Sequence, residues 1–183
     1  LRVANGQAVP DRGPNDLLGG NQALNALATS KDGAIAIGGE SGLFLKTMDG
    51  TWTSLMPATT DGRSWAPRGV KAVAFDGAGR LWFGSPQGVG SFDGAWTLYT
   101  GAEGLPYNDF TSVACGSKGE VWFTTTKGAI RFEGGTWNYR QGRRGVPNDN
   151  VQGVAVDANG SAWFATPGGA GVIERRPMTL AEK

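Results

Sequence analysis

One phrase recurs four times along the chain and most constrains what it can fold into. A stretch of small apolar residues leads into a glycine-containing turn, and an aromatic pair follows. The phrase reads VKAVAFDGAGRLWFG from Val70, FTSVACGSKGEVWFT from Phe110 and VQGVAVDANGSAWFA from Val151. A more divergent copy, LNALATSKDGAIAIG, begins at Leu24. The copies start 46, 40 and 41 residues apart (24 to 70, 70 to 110, 110 to 151), so the chain is a repeat protein.

A period near 40 residues matches four strands of about five or six residues with their turns. The second copy shows this order, with strands expected at 70–75, 80–84, 89–92 and 95–99 and glycine or proline turns between them. The predicted fold class is therefore all-β, a β-propeller made of four-stranded antiparallel blades, with four repeats in this chain. The tryptophans and phenylalanines of the phrase are expected to form its core.

The repeats divide the chain into an N-terminal segment (1–23), three blades (24–69, 70–109 and 110–150) and an incomplete blade (151–177). The last repeat stops before a fourth strand. Three arrangements are open: part of a larger ring, which is our leading interpretation; a four-bladed ring in which residues 5–9 supply the missing outer strand; or two chains that close one ring. The partner expected on the open edges is thus the rest of the same polypeptide or another copy. Residues 178–183 contain a Thr-x-x-Glu capping box and are expected to be the start of a helix or a tail.

Composition excludes several classes of function within these 183 residues. Histidine is absent, which excludes a Ser-His-Asp triad, a Cys-His dyad and histidine-ligated zinc. The single cysteine, Cys115, lies in an apolar strand and is expected to be an unreactive core thiol. A net charge of +1 gives no electrostatic case for nucleic acid or for a membrane surface. No cofactor and no metal are expected, and the Asp157 turn lacks the further ligands of a calcium loop.

One column of the repeat is polar where its neighbours are apolar. At the second position of each innermost strand the chain has Asn25, Lys71, Thr111 and Gln152. An unpartnered polar group buried in a core costs roughly 1–3 kcal/mol. We therefore expect these four side chains to line a water-filled axial channel.

The full repeat resembles a known family. The stretch GRLWFGSPQGVGSFDGAWTLYTGAEGLPYND (79–109) resembles the two-component-regulator propeller repeat almost throughout, and residues 119–150 resemble it nearly as well. The resemblance covers about residues 24–174 and is weakest in the first copy, where Ala36 stands at the tryptophan position. It implies a secreted or periplasmic, non-catalytic module for ligand binding, with carbohydrate as the expected ligand, or for scaffolding. The alternative it implies is the N-terminal propeller of a secreted carbohydrate-active enzyme whose helical catalytic domain lies beyond Lys183.

The expected ligand face carries the loops between blades and the turns between second and third strands. Its candidate ligand-binding residues combine amides, cations and aromatic rings, as a sugar ligand would require: Trp65, Lys71, Tyr107, Asn108, Arg143, Arg144 and Asn148. For the asparagines, our preferred interpretation is a turn in which the side chain caps backbone groups. Trp65 lies outside the repeat between Arg63 and Arg68 and is the aromatic residue we expect to contact a ligand.

Overall fold

The computed structural model describes residues 2–9, 23–60, 62–65, 67–142 and 145–175. A hairpin of β1 (Arg2–Ala4) and β2 (Gln7–Val9) comes first. The first large sheet comprises β3 (Leu24–Thr29), β4 (Ile35–Gly39), β5 (Gly42–Lys46) and β6 (Trp52–Leu55). The second comprises β7 (Ala72–Phe75), β8 (Leu81–Ser85), β9 (Gly88–Phe92) and β10 (Trp96–Tyr99).

A short 3-10 turn at Gly101–Glu103 leads into the third large sheet. This sheet comprises β11 (Phe110–Cys115), β12 (Val121–Thr125), β13 (Gly128–Glu133) and β14 (Thr136–Arg140). The fourth comprises β15 (Gly153–Val156), β16 (Ala162–Thr166) and β17 (Gly169–Ile173). Each large sheet is an antiparallel meander in which consecutive strands pair, and we call the four sheets blades 1 to 4. No helix formed by the described residues is long and apolar enough to span a lipid bilayer.

The turn between the first two strands of a blade explains the Asp-Gly signal of the repeat. In blade 2, Asp76 accepts hydrogen bonds from the backbone N–H groups of Ala78 and Arg80, both at 2.9 Å. Gly79 closes the turn at a φ of 85°, a left-handed conformation that favours glycine. The chain reverses within four residues and brings Trp82 onto the second strand.

The blades pack face to face through their innermost strands. Contacts join β3 to β7, β7 to β11 and β11 to β15. The first-to-second-strand turns of all four blades line one cavity of about 320 Å³, so the inner strands converge at that end. An apolar core lies at each of the three junctions, and each combines a tryptophan-position residue from one blade with a phenylalanine from the next. These observations confirm the predicted all-β fold of propeller blades.

The tryptophans of the repeat differ in burial. Trp82 and Trp122 are 2% and 3% exposed, as the repeat predicts. Trp163 of blade 4 is 50% exposed, which corrects the expectation that it belongs to the core. Its indole lies on the face that would be covered by a following blade, and nothing in the described part of the chain covers that face.

Blade 4 has three strands in the described part of the chain. The N-terminal residues Gln7–Val9 pair with Arg2–Ala4 and form a separate two-stranded sheet. This pairing does not support the arrangement in which residues 5–9 complete blade 4. Residues 178–183, for which a helix start or tail was expected, lie outside the described residues.

Candidate ligand-binding site

A cluster of polar side chains lies where blades 1 and 2 meet, at the end of the blades that carries the turns between second and third strands. Glu40 occupies this turn in blade 1, and Asn25 and Lys71 lie on the inner strand or directly before it. The Asn25 amide donates to Glu40 Oε1 and to the backbone carbonyl of Val70, both at 3.1 Å. The Lys71 ammonium donates to the same Glu40 oxygen. One carboxylate oxygen thus accepts a hydrogen bond from an amide of blade 1 and another from an ammonium group of blade 2.

An open cavity of about 690 Å³ adjoins this cluster. Its lining includes Glu40, the exposed Arg68 and Gln87, which lies in the equivalent turn of blade 2. We call Asn25, Glu40, Arg68, Lys71 and Gln87 together the junction site. It presents two cations, one carboxylate and two amides to solvent.

The backbone explains why these residues converge. The N–H of Gly69 donates to the carbonyl of Glu40 at 3.1 Å, and the N–H of Val70 donates to the carbonyl of Gly39 at 3.0 Å. Gly69 adopts a φ of 63°, which lets the chain turn sharply there. The connection from blade 1 is therefore fastened to the turn of that same blade, and this places Arg68 and Lys71 beside Glu40.

The electrostatics of the junction site keep Glu40 ionised. The hydrogen bond from Lys71 lowers the pKa of the Glu40 carboxyl, and the hydrogen bond from Asn25 and the charge of Lys71 add to the effect. Both partners of the ion pair are about half exposed, with side-chain exposures of 45% for Lys71 and 51% for Glu40. Such a pair contributes little to stability and can exchange its partners for those of a ligand.

The polar column of the inner strands also joins neighbouring blades. Asn25 of blade 1 bonds to the carbonyl of Val70 as described, and Thr111 of blade 3 donates to the carbonyl of Val151 at 2.5 Å. Val70 and Val151 are equivalent positions at the start of the following blade. Lys71 bonds to Glu40 instead, and Gln152 is exposed. That these four residues line a channel stays a prediction.

Trp65 is not at the surface, which corrects the expectation that it contacts a ligand. Its side chain is 9% exposed and packs edge-on against Phe83, with ring centroids 6.4 Å apart. The backbone N–H of Trp65 donates to the backbone carbonyl of Pro57 at 2.9 Å, so the insert folds back over blades 1 and 2. Trp65 belongs to the core between those blades.

The other predicted residues are distributed over two junctions. The Asn108 amide donates to the carbonyl of Pro86, which lines the cavity of the junction site. Asn148 accepts from the N–H of Asn150 at 2.9 Å, the turn that we preferred for it. Tyr107 is half-buried, with the Lys127 ammonium 5.2 Å from its ring centroid. Arg143 and Arg144 lie outside the described residues.

The repeat predicts Asn25 and Lys71 as site residues but does not single out Glu40, Arg68 or Gln87. A signal for Glu40 was present in the repeat. The same turn reads Ser-Pro-Gln in blade 2, Thr-Thr-Lys in blade 3 and Thr-Pro-Gly in blade 4, so Glu40 is the single carboxylate at this turn. Its place in the repeat, directly after the second strand, is at the end of the blade where Asn25 and Lys71 of the polar column lie.

Cys115 lies far from this site, beside the cavity at the opposite end of the blades. Burial raises the pKa of its thiol to about 12, with smaller effects from Asp76 and Glu120. The neutral thiol is a poor nucleophile, which agrees with the expectation of an unreactive cysteine.

Comparison with known proteins gives structural neighbours. No family model and no curated protein matches the sequence. The extracellular domain of the hybrid two-component system BT3049 of B. thetaiotaomicron superposes with a TM-score of 0.63 at 21% identity, over 84% of this chain and 23% of that one. PorZ, a surface component of the type-IX secretion system of Porphyromonas gingivalis, gives 0.64 at 20% identity, over 87% and 26%. Virginiamycin B lyase from Staphylococcus aureus gives 0.60 at 20% identity, over 88% and 58%.

The chain therefore spans about a quarter of the length of the first two neighbours. At these identities the likeness concerns the fold. The two-component-system neighbours agree with the resemblance that the repeat carries, and the comparison shows that the described repeats fold as blades of a β-propeller.

Proposed function

We propose that this chain is a non-catalytic propeller module that binds an oligosaccharide outside the cytoplasm, and that the junction site holds the ligand. The observation that carries the proposal is the arrangement of Glu40, Lys71 and Asn25 beside an open cavity of about 690 Å³. The cavity is within the size range of ligand pockets, about 300–1,000 Å³.

The chemistry of the junction site suits a polyhydroxylated ligand. A sugar hydroxyl both donates and accepts, so it can bond to the Glu40 carboxylate and to the Asn25 or Gln87 amide at once. Arg68 and Lys71 outnumber the one carboxylate, so the site favours a sugar that carries an acidic group. A guanidinium can bind a carboxylate through two parallel hydrogen bonds, which gives Arg68 the larger role in that preference.

The neighbours support the location in the proposal. One is the extracellular domain of a two-component system and another is a bacterial surface component. A propeller in such a protein meets its ligand outside the cytoplasm. We extend that setting to this chain on the basis of the shared fold and the repeat.

The residues of the chain do not favour the activity of the lyase neighbour. That enzyme is described as catalytically inactive when one histidine is replaced by alanine. These 183 residues contain no histidine. A binding role therefore fits the chain better than the chemistry of that lyase.

Isothermal titration with a panel of neutral and uronic-acid oligosaccharides tests the proposal. We expect saturable binding of an acidic oligosaccharide that Arg68→Ala and Lys71→Ala each weaken by about tenfold, as for loss of one charge-assisted hydrogen bond. Lys118→Ala is the matched control, because Lys118 is exposed in a turn at the opposite end of blade 3. Absence of binding across the panel would overturn the ligand class. Binding that both variants leave unchanged would overturn the choice of site.

A further inference from the structure

A second hollow lies between blades 1 and 2, at the end opposite the junction site. Its volume is about 490 Å³. Its walls include the apolar side chains of Leu45, Leu81 and Phe92, and its rim includes Asp32 and Asp49 from two turns of blade 1. The junction between blades 2 and 3 shows what normally occupies this position.

At that junction the ring of Trp82 fills the space. Its centroid lies 5.4 Å from that of Phe132 in blade 3, and its indole N–H donates to Asp76 at 3.1 Å. The next junction also holds an indole, because Trp122 lies 5.3 Å from Phe164 of blade 4 in an edge-on contact, as Trp82 lies 6.5 Å from the equivalent Phe123 of blade 3. Each of these blades therefore inserts an indole between itself and its successor.

Blade 1 lacks this indole. Strand register places Ala36 opposite Leu45, as Trp82 lies opposite Ser91, so Ala36 holds the tryptophan position. The counterparts of Phe132 and Asp76 in blades 2 and 1 are Phe92 and Ser30, and both line the hollow. Phe92 and Ser30 thus stand where neighbours of an indole would stand. The ring itself is replaced by the methyl group of Ala36, which is fully buried, and Leu45 stands where blade 2 has Ser91.

The geometry points to a binding site for a small aromatic molecule of indole size in this hollow, which we call the indole slot. The repeat supplies the argument for the occupant, since a planar aromatic ring fills the equivalent space twice in the same molecule. An apolar cavity of about 150 Å³ is already sufficient to bind benzene in another protein.

The charge at the rim selects among aromatic ligands. Asp49 accepts hydrogen bonds from the Thr47 hydroxyl at 2.5 Å and the Thr51 N–H at 3.0 Å, which lower the pKa of its carboxyl, the Thr47 bond most. Neither lysine nor arginine is present in the described lining. The Lys46 ammonium lies 5.6 Å from the Trp52 ring centroid, so an aromatic contact holds it. The slot therefore prefers an aromatic ring with a cationic substituent.

The indole slot is independent of the proposed function. It lies among the first-to-second-strand and third-to-fourth-strand turns, whereas the junction site lies among the second-to-third-strand turns. Ligands can therefore be tested at each site separately. A failure of oligosaccharide binding would leave the slot untouched, and the reverse is also true.

Titration of the whole chain with indole, tryptamine and indole-3-acetate, followed by ligand-observed NMR, tests the slot. We expect saturable binding of indole with a dissociation constant on the order of a millimolar, as for a very small ligand. Tryptamine should bind about three- to fivefold more tightly than indole, because its ammonium group is attracted by the rim carboxylates, and indole-3-acetate should bind more weakly, because its carboxylate is repelled. The difference in affinity is small because the rim carboxylates are solvent-exposed and partly screened. Asp49→Asn should reduce the preference for tryptamine over indole.

Ala36→Trp should fill the slot and weaken tryptamine binding by at least about tenfold, as expected when a ligand pocket is occupied. Leu45→Phe narrows the slot and serves as the deciding variant if Ala36→Trp does not fold. Ala165→Trp is the matched control, since Ala165 is exposed on blade 4 and adds an indole away from the slot. No saturable binding of indole or tryptamine to the folded wild type would overturn the inference. So would binding that the filling variant leaves intact, and equal affinity for tryptamine and indole-3-acetate would overturn the role of the carboxylates.

Discussion

Trp82 of blade 2 and Trp163 of blade 4 hold the same position in the repeat but differ in their surroundings. Each donates its indole N–H to the aspartate that begins the preceding turn, at 3.1 Å in both cases. Trp82 is 2% exposed and Trp163 is 50% exposed. In these two blades the turn aspartate therefore determines the local hydrogen bond, whereas burial requires the following blade. Each copy of the repeat specifies one blade, and the following blade completes the core of the blade before it.

Substitution of the two tryptophans should show the largest difference. Trp82→Ala removes a ring packed against Phe132, and we expect it to cost about 3–5 kcal/mol of the free energy of unfolding. Trp163→Ala removes a ring that is half in water, so about 1 kcal/mol is expected. Urea unfolding followed by circular dichroism measures both changes. Similar costs for the two variants would mean that Trp163 is buried in solution, by a second copy for example, and sedimentation would then show the association.

A smaller difference is expected at the position two residues later. Gly84 lies against Phe110 of blade 3, and an added Cβ would come within 2.7 Å of that ring. Gly84→Ala should therefore cost about 1–3 kcal/mol, as other overpacked core substitutions do. Ala165 is the equivalent residue of blade 4 and is exposed, so Ala165→Val should change stability by less than about 0.5 kcal/mol. Thermal unfolding of the two variants compares them, and a destabilising Ala165→Val would contradict an open face.

The turn aspartates provide a third comparison. Asp76→Ala leaves the buried indole N–H of Trp82 without its acceptor, and we expect a cost of about 1–3 kcal/mol. Asp157→Ala should cost less, about 0.5–1.5 kcal/mol, because the N–H of the exposed Trp163 can bond to water. Urea unfolding measures both. Equal costs would mean that the backbone hydrogen bonds of the turn, and not the indole bond, carry the effect.

Blade 3 shows that this turn tolerates a natural change. Gly116 stands at the aspartate position, and Glu120 extends into the freed space and accepts from the N–H of Lys118 at 3.1 Å. An added Cβ on Gly116 would approach the Glu120 carboxyl to 2.2 Å. The indole N–H of Trp122 has no acceptor among the described residues. In blade 3 the carboxylate therefore lies four residues later in the sequence than in blades 2 and 4, and the indole N–H lacks the acceptor that it has in those blades.

The sequence predicted the blades because every copy carries its own strand and turn signals, and three of the four copies also carry the tryptophan. Those signals act over four to ten residues, and the structure places Trp82 and Trp122 as expected. It did not predict the location of Trp65, because that residue lies in an insert whose path depends on contacts with Pro57 and Phe83. The junction site combines Glu40, in a turn of blade 1, with Arg68 and Lys71, which lie 28 and 31 positions later, so its assembly depends on the angle between two blades. The spacing of the repeats in the sequence does not specify the angle between the blades.

The smallest expected effect concerns the ionisation of Asp157. The hydrogen bond from the Trp163 indole, followed by that from the Ser161 N–H, lowers the pKa of the Asp157 carboxyl below its usual value of 3.8. A lowered pKa in the folded state means that the stabilisation is fully present above the unfolded-state value and is lost as the pH falls through the folded-state value. The indole N–H signal of Trp163 in an NMR titration should therefore shift with a midpoint below 3.8. In Trp163→Phe the carboxyl signal of Asp157 should titrate closer to 3.8, because the indole bond is gone. A midpoint at or above 3.8 in the unaltered chain would show that the bond to Trp163 does not persist in solution, and that the repeat sets less of the local structure of blade 4 than the comparison with blade 2 indicates.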